Sequence, residues 1–356
     1  MESRQTRQAV LDALAEGPVS GPELASRLDV SRAAVWKTVD SLRDAGFTID
    51  GTPAGYVMRE PPAYGQSAIR YGLEAPFTID YHDEIDSTNR RARNLAAGDH
   101  SDVAVVADRQ TGGRGRLDRD WSSPSGGIWM SLLQRPDIPP AHAPAHTLAA
   151  AVATTQTCRE AGVDAHIKWP NDVLVGGQTT QNDTEAVSDG AHPPAESAET
   201  TRRGGHKLAG ILTEMEGEAD RISWLVVGIG VNLNVDAAGL PSTATSLQTE
   251  TGIVDRRQFL QRLLERFADL RADLTAVLPA WREYASTLGT RVRVHLNTPT
   301  PTATETNRDD PESSADNRVV EGRAVDVEFP GTLVIDTGSG LQRVHAGDCE
   351  HLRSDA

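Results

Sequence analysis

The spacing of apolar residues changes character twice along this chain, and those changes constrain the fold more than any single motif. Residues 4–16 carry Val10, Leu11 and Leu14 at helical spacing until "GPVSG" breaks the run. "PELASRL" reads as a second short helix, and Ser31 as the N-cap of a third, "RAAVWKTVDSLRDAG", which Gly46 ends. "FTIDGTPAGYVM" reads as two short strands around a Gly/Pro turn. Three helices and a hairpin predict a winged helix-turn-helix over residues 1–62, with "PPAYGQ" as a linker. From Phe77 onward, strands such as "VAVVA", "GGIWMSLLQ", "KLAGILTEM" and "ISWLVVGIGVNLN" alternate with helices expected over 87–97 and 145–161. That alternation predicts a mixed sheet with helices packed on it over residues 63–286, closing with a long helical segment from 255. The chain then ends in "RVRVHL", "VVEGRAVDVEF", "GTLVIDT" and "LQRVHA", which predict a small barrel-like β module over 287–356. The fold class is therefore α+β and multidomain. Two stretches, 176–206 and 297–318, are polar and nearly free of bulky apolar residues, and are expected as mobile surface insertions.

A chain of 356 residues is long enough for two or three domains and a buried site. Its net charge of -16 arises with 32 Arg and three Lys, at Lys37, Lys168 and Lys207. Such acidity disfavours nonspecific binding to nucleic acid or anionic membranes and resembles the solubility bias of a halophilic protein. Cys158 and Cys349 lack the paired spacing of a zinc site or a disulfide framework, which suits a reducing cytoplasm. The longest apolar run, "ISWLVVGIGVNL", is too short and glycine-broken to span a bilayer, and the N-terminus lacks the apolar core of a signal peptide, so a soluble cytoplasmic protein is expected. No dedicated metal cluster is visible in the sequence.

The densest motif is "QTGGRGRLDRDWSSPSGGIWMS", residues 110–131, lying between two strands. Gly112, Gly113 and Gly115 let the backbone approach a ligand with its amides exposed, while Arg114, Arg116 and Arg119 can fork onto phosphate or carboxylate oxygens. The ligand should therefore be anionic. The competing reading is a flexible loop whose arginines balance Asp118 and Asp120, since the pattern matches neither a Walker loop nor a dinucleotide fingerprint. Trp121, Trp129 and Trp169 lie in or beside such motifs and could wall a flat ligand or belong to the core, the latter fitting Trp129 better. Lys207, in a chain that avoids lysine, hints at a site needing a compact cationic donor.

Five stretches in this order, "DSTN" (86–89), the 110–131 motif, "KWPNDVLV" (168–175), "KLAGILTE" (207–214) and "VVGIGVNLN" (226–234), together resemble the biotin protein ligases. With a winged helix in front and a β module behind, the whole resembles the bifunctional subgroup, in which the ligase also represses biotin genes. The resemblance implies a class II synthetase-like ligase core and an SH3-like C-terminal barrel. It implies that biotin's carboxylate attacks the α-phosphorus of ATP, supplied with Mg2+, to give biotinoyl-adenylate and pyrophosphate. A lysine of a biotin carboxyl carrier domain of a biotin-dependent carboxylase then attacks the mixed anhydride and releases AMP. Carried over residue by residue, biotin contacts fall on Ser87, Thr88, Asn89, Gln110, Arg114, Gly115, Arg116 and Lys207, and nucleotide contacts on Arg119, Trp121, Asn171 and Asn232. Lys207, Arg116 and Asp172 would carry the chemistry. Ser87 could equally be a plain helix N-cap, and "VVGIGVNLN" either a sheet edge approached by ligand or a packed buried strand. About thirty residues separate the "WPND" and "KLAGI" strands where many relatives have a short turn, so Lys207 is assigned from its motif.

For the N-terminal segment the third helix would enter the major groove of operator DNA, presenting Arg32, Lys37 and Thr38, with Arg43 further along and Val35 and Trp36 packed inward. Alternatively the segment is a degenerate appendage or a protein-contact module, because its own charge is slightly acidic. A homodimer is a further implication of the subgroup. The rival functions are a biotin-sensing regulator without catalysis and a lipoate protein ligase.

Overall fold

The computed structural model describes residues 2–177, 204–296 and 319–352; the expected insertions fall almost entirely outside them. Near the N-terminus, α1 (Glu2–Ala15), α2 (Gly21–Arg27) and α3 (Arg32–Asp44) precede an antiparallel hairpin of β1 (Thr48–Thr52) and β2 (Gly55–Glu60). Ser20 and Ser31 cap α2 and α3, accepting from the amides of Glu23 and Ala34. Val10, Leu11, Leu14, Leu24, Val35, Val39, Leu42, Phe47 and Ile49 form a core of their own beneath this winged helix-turn-helix.

The segment read as a linker is partly built into the fold. Tyr64 lies under the guanidinium of Arg256, 3.7 Å from its ring centre, and Gln66 opens the short helix α4 (Gln66–Arg70). Just beyond, the Tyr71 ring meets Phe47 edge-on at 5.9 Å, which links the two parts of the molecule.

The central sheet has seven strands: β3 (Thr78–Ile85), β4 (Val103–Gln110), β5 (Ile128–Gln134), β6 (Ala165–Lys168), β7 (Asp172–Val175), β8 (His206–Gly217) and β9 (Ile222–Val231). Their spatial order is β3-β4-β5-β9-β8-β7-β6, with β3 and β4 parallel and every other pair antiparallel, so the sheet is mixed as expected. Strand alternation divides its two faces. Val103, Val105, Leu133 and Val226 pack beneath α5 (Thr88–Ala96), whereas Ala104, Val106, Leu132, Leu225 and Val227 face the main core with α6 (Ala143–Glu160). Alanine-rich α6 is buried nearly all round because α8 (Arg256–Ala272) and α9 (Val277–Tyr284) cover it from outside, with the short α7 (Leu247–Thr251) preceding them. The expected continuous helix from 255 is thus interrupted: α8 ends at Asp273, whose extended backbone and side-chain bond to the Thr275 amide favour a turn.

The C-terminal strands β10 (Arg291–His295), β11 (Val319–Glu328), β12 (Thr332–Asp336), β13 (Leu341–Val344) and β14 (Asp348–His351) form an antiparallel sheet ordered β13-β12-β11-β10-β14. The expected barrel is not closed, because β13 and β14 are the two edges and no ladder joins them among the described residues. Val292, Val294, Ala324, Val327, Leu333 and Ile335 belong to the same apolar core as α6 and the central sheet. Trp169 crosses this junction, fully buried, its indole N–H donating to the Gly331 carbonyl at 2.9 Å. It and Trp129 are core residues and do not wall the site. No helix among the described residues is long and apolar enough to cross a membrane.

Candidate active site

On the α5 face of the central sheet lies a cleft of about 780 Å³, roofed by the loop that follows β4. Its floor depends on missing side chains. A Cβ at Gly228 would sit 2.2 Å from Asn89 Oδ1, and one at Gly230 would sit 2.9 Å from Trp121 Nε1. These glycines lie in β9, an interior strand, so they clear space above the sheet and do not mark an edge.

All twelve residues expected to contact biotin or nucleotide, together with Asp172, line this one cleft. Ser87 caps α5, accepting from the Arg90 amide at 3.4 Å, which puts Thr88 and Asn89 in the first helical turn facing the cavity. Gln110, at the end of β4, accepts through Oε1 from both the Thr88 amide (2.8 Å) and its hydroxyl (3.0 Å). Gln110 Nε2 donates to Ser123 Oγ at 2.9 Å, pinning both ends of the glycine-arginine loop together.

The cations of the loop are already engaged. Arg114 pairs with Asp118 at 3.2 Å and with Asp120, the charge balancing that the plain-loop reading anticipates. Arg116 donates to Asn171 Oδ1 (3.1 Å) and to the Gly347 carbonyl (2.9 Å), and Arg119 pairs with Asp348. The C-terminal sheet thus touches the loop that roofs the cleft. Leu117 and Asp118 both have φ near 56°, a left-handed backbone unfavourable for these residues, and Leu117 is exposed beside the opening.

Lys207 projects from the start of β8 with its Nζ 2.7 Å from Asp172 Oδ1 on β7 and 5.0 Å from the centre of the Trp121 ring. Burial pushes the Asp172 carboxyl up, but the charge and hydrogen bond of Lys207, with Lys168 and Arg116 nearby, more than offset it and hold the group below the usual aspartate range. It is therefore an ionised carboxylate at neutral pH, set beside the one lysine that lines the cleft. Asn171 donates to the Ile211 carbonyl (2.7 Å), and Asn232 to the Thr245 carbonyl (3.0 Å), so both amides are fixed by backbone. Among the described residues no group of three or more His, Cys, Asp or Glu side chains is arranged to hold a metal ion.

Several contributors were not legible in the motifs. Arg256 donates to the Gly127 carbonyl (2.8 Å) and pairs with Asp108, gripping the loop's two stems. Ser131 is fully buried under the floor, Glu214 pairs with Arg93 at 3.0 Å at its rim, and Asp348 comes from a distant part of the chain. Of these, Glu214 and Ser131 carried a sequence signal, as the last residues of "KLAGILTE" and of the 110–131 motif.

On the winged helix, Arg32 and Lys37 are exposed on α3, as a groove-reading helix needs. Thr38 is half-buried and its hydroxyl donates to the Ala34 carbonyl at 3.0 Å. Arg43 donates to the Ile49 carbonyl and braces the hairpin. Val35 is buried, but Trp36 is 56% exposed, against expectation: the inward stripe is complete with Val35, Val39 and Leu42, and Trp36 falls on the Arg32 side of the helix.

The biotin/lipoate A/B protein ligase family matches residues 81–232, a helix-turn-helix domain matches 6–57, and the biotin protein ligase C-terminal domain matches 314–352. The bifunctional ligase/repressor BirA of Bacillus subtilis is 33% identical over 350 residues, covering 93% of both chains. The BirA of Escherichia coli is 31% identical over 267 residues, 72% of each. Among solved structures, a biotin protein ligase from Aquifex aeolicus in complex with biotin and ATP shares the fold, with a TM-score of 0.54 at 24% identity over 78% of this chain and 99% of that one. With all three segments matched in order and a relative aligned across nearly its whole length, the chain belongs to the biotin protein ligases, in the group of bifunctional ligase/repressors.

Proposed function

We propose that the protein condenses biotin with MgATP to biotinoyl-adenylate, transfers the biotinoyl group to a lysine of a biotin carboxyl carrier domain, and represses transcription through its winged helix. The observation that carries the reading is a single cleft in which one lysine, the three arginines of the glycine-arginine loop and a polar floor converge. Joining a carboxylate to a triphosphate brings anions together, and the transition state at phosphorus spreads negative charge over its oxygens. Lys207 and Arg116, on separate elements, are the donors suited to the carboxylate and then to the oxygens of the mixed anhydride. Arg114 and Arg119 would exchange Asp118, Asp120 and Asp348 for ligand oxygens, and Trp121 offers a flat face for a ring. Asp172 keeps Lys207 oriented and can receive hydrogen-bonding from the incoming carrier amine. Ser87, Thr88, Asn89 and Gln110 form the neutral end suited to biotin's polar ring, Gly115 lets the loop backbone approach biotin, and Asn171 and Asn232 shape the nucleotide side.

We assign residues 1–62 to DNA binding through Arg32, Lys37 and Thr38, 63–286 to the ligase, and 287–356 to an SH3-like module open along one side. Magnesium enters as the ATP complex, on a class II synthetase-like core. A homodimer suits the repressor role. Incubation with MgATP, a carrier domain and labelled biotin or lipoate tests the reading. Covalent biotin on the carrier is expected; lipoate on the carrier, or no label on it despite tight biotin binding, would overturn it in favour of a lipoate ligase or a sensor.

A further inference from the structure

The polar floor of the cleft contains a chain of hydrogen-bonding atoms whose protons can be counted. Asn89 Nδ2 lies 2.7 Å from Glu214 Oε2 and 3.5 Å from the Leu212 carbonyl, so both of its hydrogens are directed at acceptors. Arg93 holds the other Glu214 oxygen at 3.0 Å. A carboxylate only accepts, so Glu214 obliges the amide nitrogen of Asn89 to face it and turns Oδ1 the other way.

From Asn89 Oδ1 the chain continues to Ser131 Oγ (2.5 Å), on to Thr88 Oγ1 (2.7 Å), and then to Gln110 Oε1 (3.0 Å). Gln110 Oε1 must face Thr88, because it also accepts from the Thr88 backbone amide. Four oxygens therefore make three contacts, while the two hydroxyls between them supply two protons. With Thr88 donating to Gln110, the single proton of Ser131 can serve Asn89 or Thr88 but not both. Whichever way the two hydroxyls point, one of the three close oxygen–oxygen contacts has no proton between its atoms.

We infer that Glu214 is a positioning residue that makes Asn89 an obligate acceptor, so that the cleft selects a head group presenting an N–H donor to Asn89 Oδ1. That donor frees the Ser131 proton for Thr88 and completes the set. Gly228 belongs to the same device, since any side chain there would collide with Asn89 Oδ1. A cyclic urea supplies such a donor and a dithiolane ring does not, so the floor itself discriminates biotin from lipoate. This rests on the ligase reading and extends it to two residues outside the expected contacts, Glu214 and Ser131.

The test compares calorimetric binding of biotin with that of its two isomeric cyclic carbamate analogues, each with an oxygen in place of one ring N–H. Wild type should bind one isomer about tenfold or more weakly than biotin, the scale of a buried acceptor left unpaired. In Glu214→Gln the new amide lets Asn89 turn over, and the penalty should shrink to a few-fold; Glu214→Asp, which keeps a carboxylate, should restore it. Asn89→Ala removes the acceptor while leaving the Glu214–Arg93 pair, and should abolish the same penalty if Glu214→Gln proves unstable. An equal affinity of wild type for all three compounds, or a penalty unchanged in Glu214→Gln and Asn89→Ala, overturns the inference while leaving ligation of biotin intact. A wild-type protein that neither binds biotin nor transfers it defeats the functional reading instead.

Discussion

Lys207→Met would keep a side chain of similar length and remove only the ammonium. If Lys207 neutralises the reacting carboxylate, the loss of one preorganised donor should cost adenylate formation about 3–4 kcal/mol, a drop of roughly 100- to 1000-fold. Stability should respond far less. Stripping one partner from a fully buried ion pair costs about 3–5 kcal/mol. Here the Lys207 and Asp172 side chains are 21% and 23% exposed, and Asp172 keeps Lys168 and Arg116 as neighbours. A loss of about 1–2 kcal/mol is expected after that discount for solvent. The pH dependence has a definite sign. Because Asp172 titrates lower in the folded protein than in the unfolded chain, its contribution is complete above the ordinary aspartate range and disappears as pH falls through the lower folded value. That acid-side slope should diminish in the variant. Biotin-dependent pyrophosphate exchange, with urea unfolding at neutral and acid pH, measures both effects. A folded Lys207→Met protein exchanging pyrophosphate within a few-fold of wild type would refute the role given to the ammonium.

Three other expectations follow from the geometry. Arg256→Ala should lose about 2–3 kcal/mol, because removing a side chain only 11% exposed leaves Asp108 and the Gly127 carbonyl without its guanidinium; calorimetry should show Tm lower by roughly 5–10 °C, with adenylate escaping faster from the loosened loop. On a duplex selected from random DNA, Lys37→Ala should lower the salt slope of binding by about one unit, while Trp36→Ala should weaken binding at an unchanged slope; an altered slope for Trp36→Ala would place the ring off the groove. Burial holds His146 down to about 4, with Arg271 nearby, and His351 down to about 3, near Lys168 and His166, so between those values and 6.5 the unfolded chain binds more protons. Stability should be complete above pH 6.5 and fall by roughly 2 kcal/mol per histidine on going to pH 5; a flat urea midpoint across that interval in wild type would contradict it.

Local pattern made the winged helix and the central sheet legible, because a stripe such as Val35, Val39 and Leu42 or a continuous apolar run such as Val103 to Ala107 is written within one element. The loop cations and Lys207 were legible because glycine, arginine and a rare lysine stand out from their surroundings. Trp36 was misread since the same spacing fits either side of a short helix until its neighbours are known. The barrel was overcalled because strands in succession do not specify whether their edges meet. Asp348 and Arg256 reach the site from distant positions, where nothing adjacent marks an aspartate as a partner of Arg119 or an arginine as the clasp of two loop stems.

The first fifty residues keep their apolar interior to themselves, meeting the rest chiefly where Phe47 rests on Tyr71, whereas the terminal sheet shares its interior with α6. Removing the winged helix would therefore uncover little greasy surface. Amputating the last strands would leave Trp169 and its neighbours wet and strand Arg119 without Asp348. Lineages that shed or trade the regulatory head could do so without rebuilding the catalyst, while the tail is bound to descend with it.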